Sequence, residues 1–245
     1  MMNDVIRAGR DGNAATITID RATDGNQLTI PMVKELAVAF REAGSSDAKV
    51  ITLRSVGDVF SLGRDTRGGT AGAPPPNALQ MRKNLIAPLL DVYDAIFGTP
   101  QPVVCSVQGM AHGFGCALAT ACDITIASDN ARFRLPELEK NLPPTLAISA
   151  MMARVPQKAL TWLVYSMAEV DASTALQMGL VSRVVRSAEL VSESDKLVAE
   201  LCSRERDALI GVKDYFRSAS GLNGRAAADL AGNILATVFS SVPRG

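Results

Sequence analysis

The chain has 245 residues, 47% hydrophobic and only 4% aromatic, with 25 basic side chains balanced by 25 acidic ones. A net charge of zero leaves no global field to draw it to a polyanion or a bilayer, so neither nucleic acid nor membrane is an expected partner. Four cysteines without a CxxC spacing and a single histidine make a zinc cage hard to assemble, and no metal site is expected. They read as reduced thiols of a cytoplasmic protein.

Residues 1–10 carry Asp4, Arg7 and Arg10 and lack the apolar run of a signal peptide. The most apolar stretch, 102–128, is broken by Gln108, His112, several glycines and Asp123, short of the ~20 apolar residues that a membrane span needs. An apolar, β-branched strand is expected over 15–19, a turn at Asp24, Gly25 and Asn26, and a helix from about Thr29. Its face is Val33, Leu36, Ala37 and Phe40, and Gly44 ends it. A buried strand over 50–53 leaves through a tight glycine turn at 58–65. Glycine and proline then crowd 67–77, which reads as a mobile surface loop.

A long helix is expected over 78–97, a strand over 102–107, a second glycine turn over 109–115, a short helix over 114–121 and a strand over 123–127. After Pro136 the pattern turns helical, over about 146–154, 157–167, 173–178, 188–204, 208–218 and 225–239. This order reads as an α/β core followed by a helical tail, divided near residue 190.

The Gly-Phe-Gly at 113–115, placed between a strand and a helix, leaves the helix's first N–H groups free at the positive end of its dipole. Bare glycines let a ligand oxygen approach the Phe114 amide. An anion site of the phosphate-loop kind, an oxyanion hole and simple tight packing all fit these residues, although neither GxxxxGK[ST] nor GxGxxG occurs.

Three motifs in order, FSLGRD (60–65), PVVCSVQGMAHGFGCALATACDITIASDNARF (102–133) and LPELEKNLPP (135–144), resemble the enoyl-CoA hydratase/isomerase (crotonase) family. ALQMGLVSRVV (175–185) and Asn26 extend the likeness over nearly the whole chain. The resemblance implies a spiral of ββα turns with a C-terminal helical region (191–245) that assembles homotrimers or homohexamers. It implies an acyl-CoA substrate, with coenzyme A part of that substrate and no separate cofactor. By motif matching it assigns the oxyanion amides to Leu62 and Phe114, flanked by Gly63, Gly113 and Gly115, and the acid/base to Glu137. Arg64, Asp65 and Lys213 fall at positions that approach CoA or brace its loop. Asn26 is expected to brace the first turn.

One departure stands out: Ala117 occupies a position where family hydratases commonly carry a second glutamate. A single base suffices to shift a double bond, so hydratase and isomerase both stay open. A binding protein with lost or altered catalysis is the alternative. Glu139, two residues past Glu137, shares its face if the segment is extended. His112 lies just before the Gly-Phe-Gly at 113–115, where packing or solvent contact is the plainer role.

Overall fold

In the computed structural model, which describes residues 5–67 and 76–241, β1 (Ile6–Asp11) and β2 (Ala14–Ile19) form an antiparallel hairpin. Next come α1 (Ile30–Ser45), β3 (Val50–Ser55), α2 (Ala78–Met81), a π-turn at Arg82–Ile86, α3 (Ala87–Gly98) and β4 (Val103–Val107). The chain continues through β5 (Met110–His112), α4 (Phe114–Ala121), β6 (Ile124–Ser128), β7 (Arg132–Arg134) and a 3-10 turn at Glu137–Lys140. The remaining elements are α5 (Thr145–Met151), α6 (Gln157–Ser166), β8 (Val170–Asp171), α7 (Ala172–Met178), β9 (Arg183–Val185), α8 (Leu190–Cys202), α9 (Arg206–Ala219) and α10 (Gly224–Ser241).

The main sheet has the order β1-β2-β3-β4-β6-β9 and is parallel from β2 onward, while β5-β7-β8 form a small second sheet. Parallel strands need crossovers that cover both faces, and the continuous buried run Val50–Leu53 of β3 is the sequence mark of that arrangement. On one side, α1 presses Val33, Leu36, Ala37 and Phe40 into the core, all fully buried. On the other, α8 ties down through Ser106–Ser194 at 2.9 Å and Arg54–Asp195 at 3.1 Å. The α/β core and helical tail expected from the sequence are therefore present.

The helix expected over 78–97 is three pieces. A capping box between Asn77 and Gln80 starts it, and the π-turn stands just before Pro88, which lacks an amide hydrogen and crowds the preceding turn. Thr29 sits at the N-cap of α1 but makes no side-chain cap. β1 gave no apolar signal because five of its six residues are exposed. The loop expected over 67–77 falls mostly on 68–75, outside the described residues. At the far end α9 and α10 pack closely at Gly211, where an added Cβ would meet Val238 at 3.0 Å and Ile234 at 3.2 Å.

Candidate active site

Both glycine turns leave the carboxyl ends of neighbouring parallel strands, β3 and β4, and run side by side. Phe60 N–H donates to Gln108 O at 2.9 Å, Ser61 N–H to Met110 O at 3.0 Å and His112 N–H to Ser61 O at 2.9 Å. Fully buried Asn26 clamps the first turn from below: its Oδ1 accepts from Arg21 N–H, and its Nδ2 donates to Val56 O at 2.9 Å and Val59 O at 2.7 Å. These bonds give Asn26 the bracing role expected of it.

Which amides face open space follows from hydrogen bonding, and it corrects the assignment of Leu62. The Leu62 N–H is already donated to Gly25 O at 2.9 Å, so it has nothing left for a ligand. Asp65 N–H goes to Leu28 O at 2.9 Å and Gly63 N–H to Ser61 Oγ at 3.1 Å. The amide of Arg64 has no acceptor among the described residues. The cause is Gly63 at φ +91°. In a regular strand amides on one side recur every second residue, yet Leu62 and Asp65, three apart, both bond the 25–28 segment. The glycine resets the alternation and turns Arg64 N–H away.

Phe114 opens α4 as its first residue, so its N–H also lacks an acceptor among the described residues, as expected. It lies against Gly63: a Cβ there would be 3.2 Å from Phe114 N and 2.8 Å from His112 O. A Cβ on Gly113 would be 3.1 Å from Glu137 Oε1. Gly115 packs directly onto the Ser61 backbone and holds the two turns together. The structure therefore gathers Gly63, the Arg64 amide, Gly113, the Phe114 amide, Gly115 and Glu137 in one place.

Glu137 is the first residue of the 3-10 turn that follows Pro136. Burial pushes its carboxyl above the ordinary 4.5, opposed by its own backbone N–H, and its Oε2 is sealed from solvent without a hydrogen-bond partner. A carboxylate whose charge is disfavoured by burial is a better proton acceptor than a solvated one, as acid–base chemistry requires. Because the segment is a turn and not extended, Glu139 does not share that face; it pairs with Arg134 near the surface. Ala117 is fully buried in α4, one turn beyond Gly113. His112 Nε2 lies 2.9 Å from Glu169 Oε2, and burial lowers its pKa against that carboxylate's pull.

Around this group, Asp65 is engaged by its own chain: Arg21 at 2.7 Å and Arg67 at 3.0 Å brace it and hold its carboxyl well below the usual range. The Arg64 side chain is half-buried and has no carboxylate partner among the described residues, and burial lowers its pKa. Tyr93 of α3 escaped the sequence reading. Its ring packs 5.8 Å from that of Phe114, and its only signal was a place among the buried Leu89, Val92 and Ile96.

Lys213 does not join them. It is buried at the amino ends of β4 and β6, opposite the glycine turns, with Nζ 2.7 Å from Asp123 Oδ2 and from Thr99 Oγ1, and 3.1 Å from the carbonyls of Ile96 and Gln101. The CoA contact expected of it gives way to a core ion pair, because every donor of its ammonium is taken by its own chain. Lys213→Met is expected to destabilise the fold in a urea melt by less than the ~3–5 kcal/mol of an orphaned buried charge, since Asp123 keeps Arg154 at 3.0 Å and the Val103 N–H at 2.8 Å, while KM for substrate stays unchanged.

The chain was also compared with known proteins. Residues 9–243 match the family described as enoyl-CoA hydratase/isomerase. The chain is 29% identical over 203 residues to the mitochondrial enoyl-CoA hydratase domain-containing protein 3 of Xenopus laevis, covering 82% of this chain and 68% of that protein. It is 28% identical to carnitinyl-CoA dehydratase of Escherichia coli, covering 89% and 82%. Among solved structures, the enoyl-CoA hydratase of Mycobacterium smegmatis superposes with a TM-score of 0.90 at 27% identity, covering 97% of this chain and 91% of that one. A match over almost the whole length, on a fold that agrees, places the chain in the enoyl-CoA hydratase/isomerase family.

Proposed function

We propose that the chain hydrates or isomerises an enoyl-CoA thioester through an enolate. The observation that carries this reading is the buried Oε2 of Glu137 beside the backbone amides of Arg64 and Phe114, all three without a hydrogen-bond partner among the described residues. The thioester oxygen accepts from both amides as an oxyanion hole, worth roughly 3–4 kcal/mol per donor as charge develops on oxygen. Glu137 moves the proton at C2, and at C3 or C4. The Arg64 guanidinium, half-buried and without a carboxylate partner among the described residues, supports a contact with a CoA phosphate. This substrate needs no resident cofactor, since coenzyme A arrives with the acyl group.

Self-association belongs to the same reading. The 18-residue α10 has no buried residue, and Val212, Phe216 and Leu235 stand exposed on α9 and α10. An amphipathic hairpin of this kind suits a homotrimer or homohexamer interface. No helix among the described residues is long and apolar enough to cross a membrane. The four unpaired cysteines suit a reducing compartment such as the cytoplasm, whereas the Xenopus relative is named as mitochondrial.

The second reading, an acyl-CoA-binding protein with altered catalysis, is favoured by Ala117 alone. Mass spectrometry of products from a short 2-enoyl-CoA and from its 3-enoyl isomer, with chromatographic separation of positional isomers, decides. Gain of one water or interconversion of isomers is expected. Tight binding with neither change on a panel of thioesters would sink the catalytic reading.

A further inference from the structure

Glu137 is carried by a turn with few ties to the rest of the chain. Inside it the backbone bonds to itself, Glu139 N–H to Pro136 O at 3.0 Å, Asn141 N–H to Leu138 O at 2.9 Å and Leu142 N–H to Glu137 O at 3.2 Å. These bonds fix the shape of the turn and leave its placement open. Leu138 packs partly buried against the core, and the one ion pair that the side chains of residues 137–140 make among the described residues joins Glu139 to Arg134.

Arg134 touches both halves of the site. Its carbonyl accepts Gly113 N–H at 2.8 Å, and Gly113 is the glycine that faces Glu137 Oε1 and precedes the Phe114 amide. Its guanidinium reaches the other way, pairing with Glu139 and donating from Nε to Met167 O at 2.8 Å. Met167 caps α6 in the left-handed region, at φ +52°. Two residues on, Glu169 Oε2 lies 2.9 Å from His112 Nε2, and His112 stands opposite Arg134 in the parallel pair of β5 and β7. The 167–169 segment is thus fastened to both strands that border the oxyanion turn. A lone surface ion pair contributes only about 1 kcal/mol or less. This guanidinium is fixed at a second point by a carbonyl, so what it supplies is a position more than a large energy.

We infer that Arg134, through Glu139, is a positioning residue for Glu137: the pair closes the short loop that carries the carboxylate and holds it against Gly113, beside the oxyanion amides. The inference rests on the enoyl-CoA reading and gives Glu139 a part in it without any contact with substrate. When the tie is cut, the turn is left to swing on Leu138, and a carboxylate that has to meet the C2 proton within hydrogen-bond reach loses its alignment. A loosened turn also admits water to Glu137, whose pKa is raised by burial. The ionisable side chains that its charge reaches, Tyr93 and Cys116, are pushed up by their own burial first and stay neutral throughout.

Arg134→Met removes both side-chain ties and keeps the stem and the backbone carbonyl. Turnover of a short enoyl-CoA, and exchange of the C2 proton of the matching saturated acyl-CoA with deuterated solvent, are followed against pH, with a thermal melt to give the folded fraction. Both rates are expected to fall about 10- to 100-fold with KM within about twofold of the parent. The acidic limb of kcat/KM should move to lower pH, towards an ordinary carboxylate. Loss of a neighbouring cation alone would move it the other way, so the direction separates a loosened turn from a lost charge. Glu139→Leu should reproduce the effect, the double variant should be no worse than either single one, and Glu139→Gln, which still accepts from the guanidinium, should recover most of the loss. Parent-like kcat in folded Arg134→Met, an acidic limb that stays or rises, or losses that add in the double variant would each overturn the inference. Glu137→Gln run alongside keeps the two levels apart: exchange that survives there defeats the enoyl-CoA reading and this inference with it, whereas exchange lost there and kept in Arg134→Met overturns the inference alone.

Discussion

Gly63→Ala is expected to lower kcat/KM for acyl-CoA turnover by roughly 100- to 1,000-fold, the loss that follows removal of one oxyanion donor. Two causes act together. Gly63 has φ +91°, where an L side chain is strained by about 1–2 kcal/mol, and relief of that strain rotates the very peptide that turns the Arg64 amide outward. The new methyl would also sit 2.8 Å from His112 O and 3.2 Å from Phe114 N, in the space where the thioester oxygen is proposed to lie. Both donors are backbone groups that side-chain replacement cannot delete, so a glycine substitution is the direct way to perturb them. Steady-state kinetics with a thermal melt checks the claim: activity should collapse while the melting temperature falls only modestly. Full turnover in this variant would show that the two amides do not act as a pair.

Glu137→Gln should be at least as damaging to chemistry, with kcat reduced roughly 100- to 10,000-fold, while affinity for CoA thioesters, measured by calorimetry, stays close to the parent's. The substitution is isosteric and removes only the ability to carry a proton. It has a second signature in stability. Burial raises the Glu137 pKa above its ordinary 4.5, so the folded state favours the protonated form. That contribution is fully present below the unfolded value and is lost as pH rises through the folded one. The glutamine variant should therefore melt above the parent at pH 8 and match it near pH 4. A variant that melts below the parent at pH 8 would show that the ionised carboxylate is held by groups the structure does not place beside it.

Much of this site was legible before any coordinates. Phe114 was readable because a Gly-Phe-Gly between strand and helix leaves the first helical amides free wherever that helix packs. Glu137 was readable through motif register, and Asn26 through the turn it closes. Position in the motif did not reveal the conformation at 137–140. Pro136, at φ −88° and ψ 3°, starts a 3-10 turn, which sends Glu139 outward to Arg134 and leaves Glu137 alone on the site side. Tyr93 carried only the mark of a core residue, because its distinction is a ring contact with Phe114 that packing alone creates.

The sequence by itself determined the alternation of buried strands and amphipathic helices, the two glycine turns, the helical tail and the family likeness, since each depends on residues close together along the chain. The tertiary structure decided which atoms of those turns are available. Leu62 and Arg64 are two residues apart and equivalent as sequence. The distant Gly25 carbonyl takes the Leu62 amide, and the positive φ of Gly63 leaves the Arg64 amide without an acceptor among the described residues. Lys213 follows the same logic from the other side: the family likeness put it at a position that approaches CoA, and only the packing of α9 against the amino ends of β4 and β6 surrounds it with Asp123, Thr99 and two carbonyls. Hydrogen-bond capacity is local, but its occupancy is set by partners far along the chain.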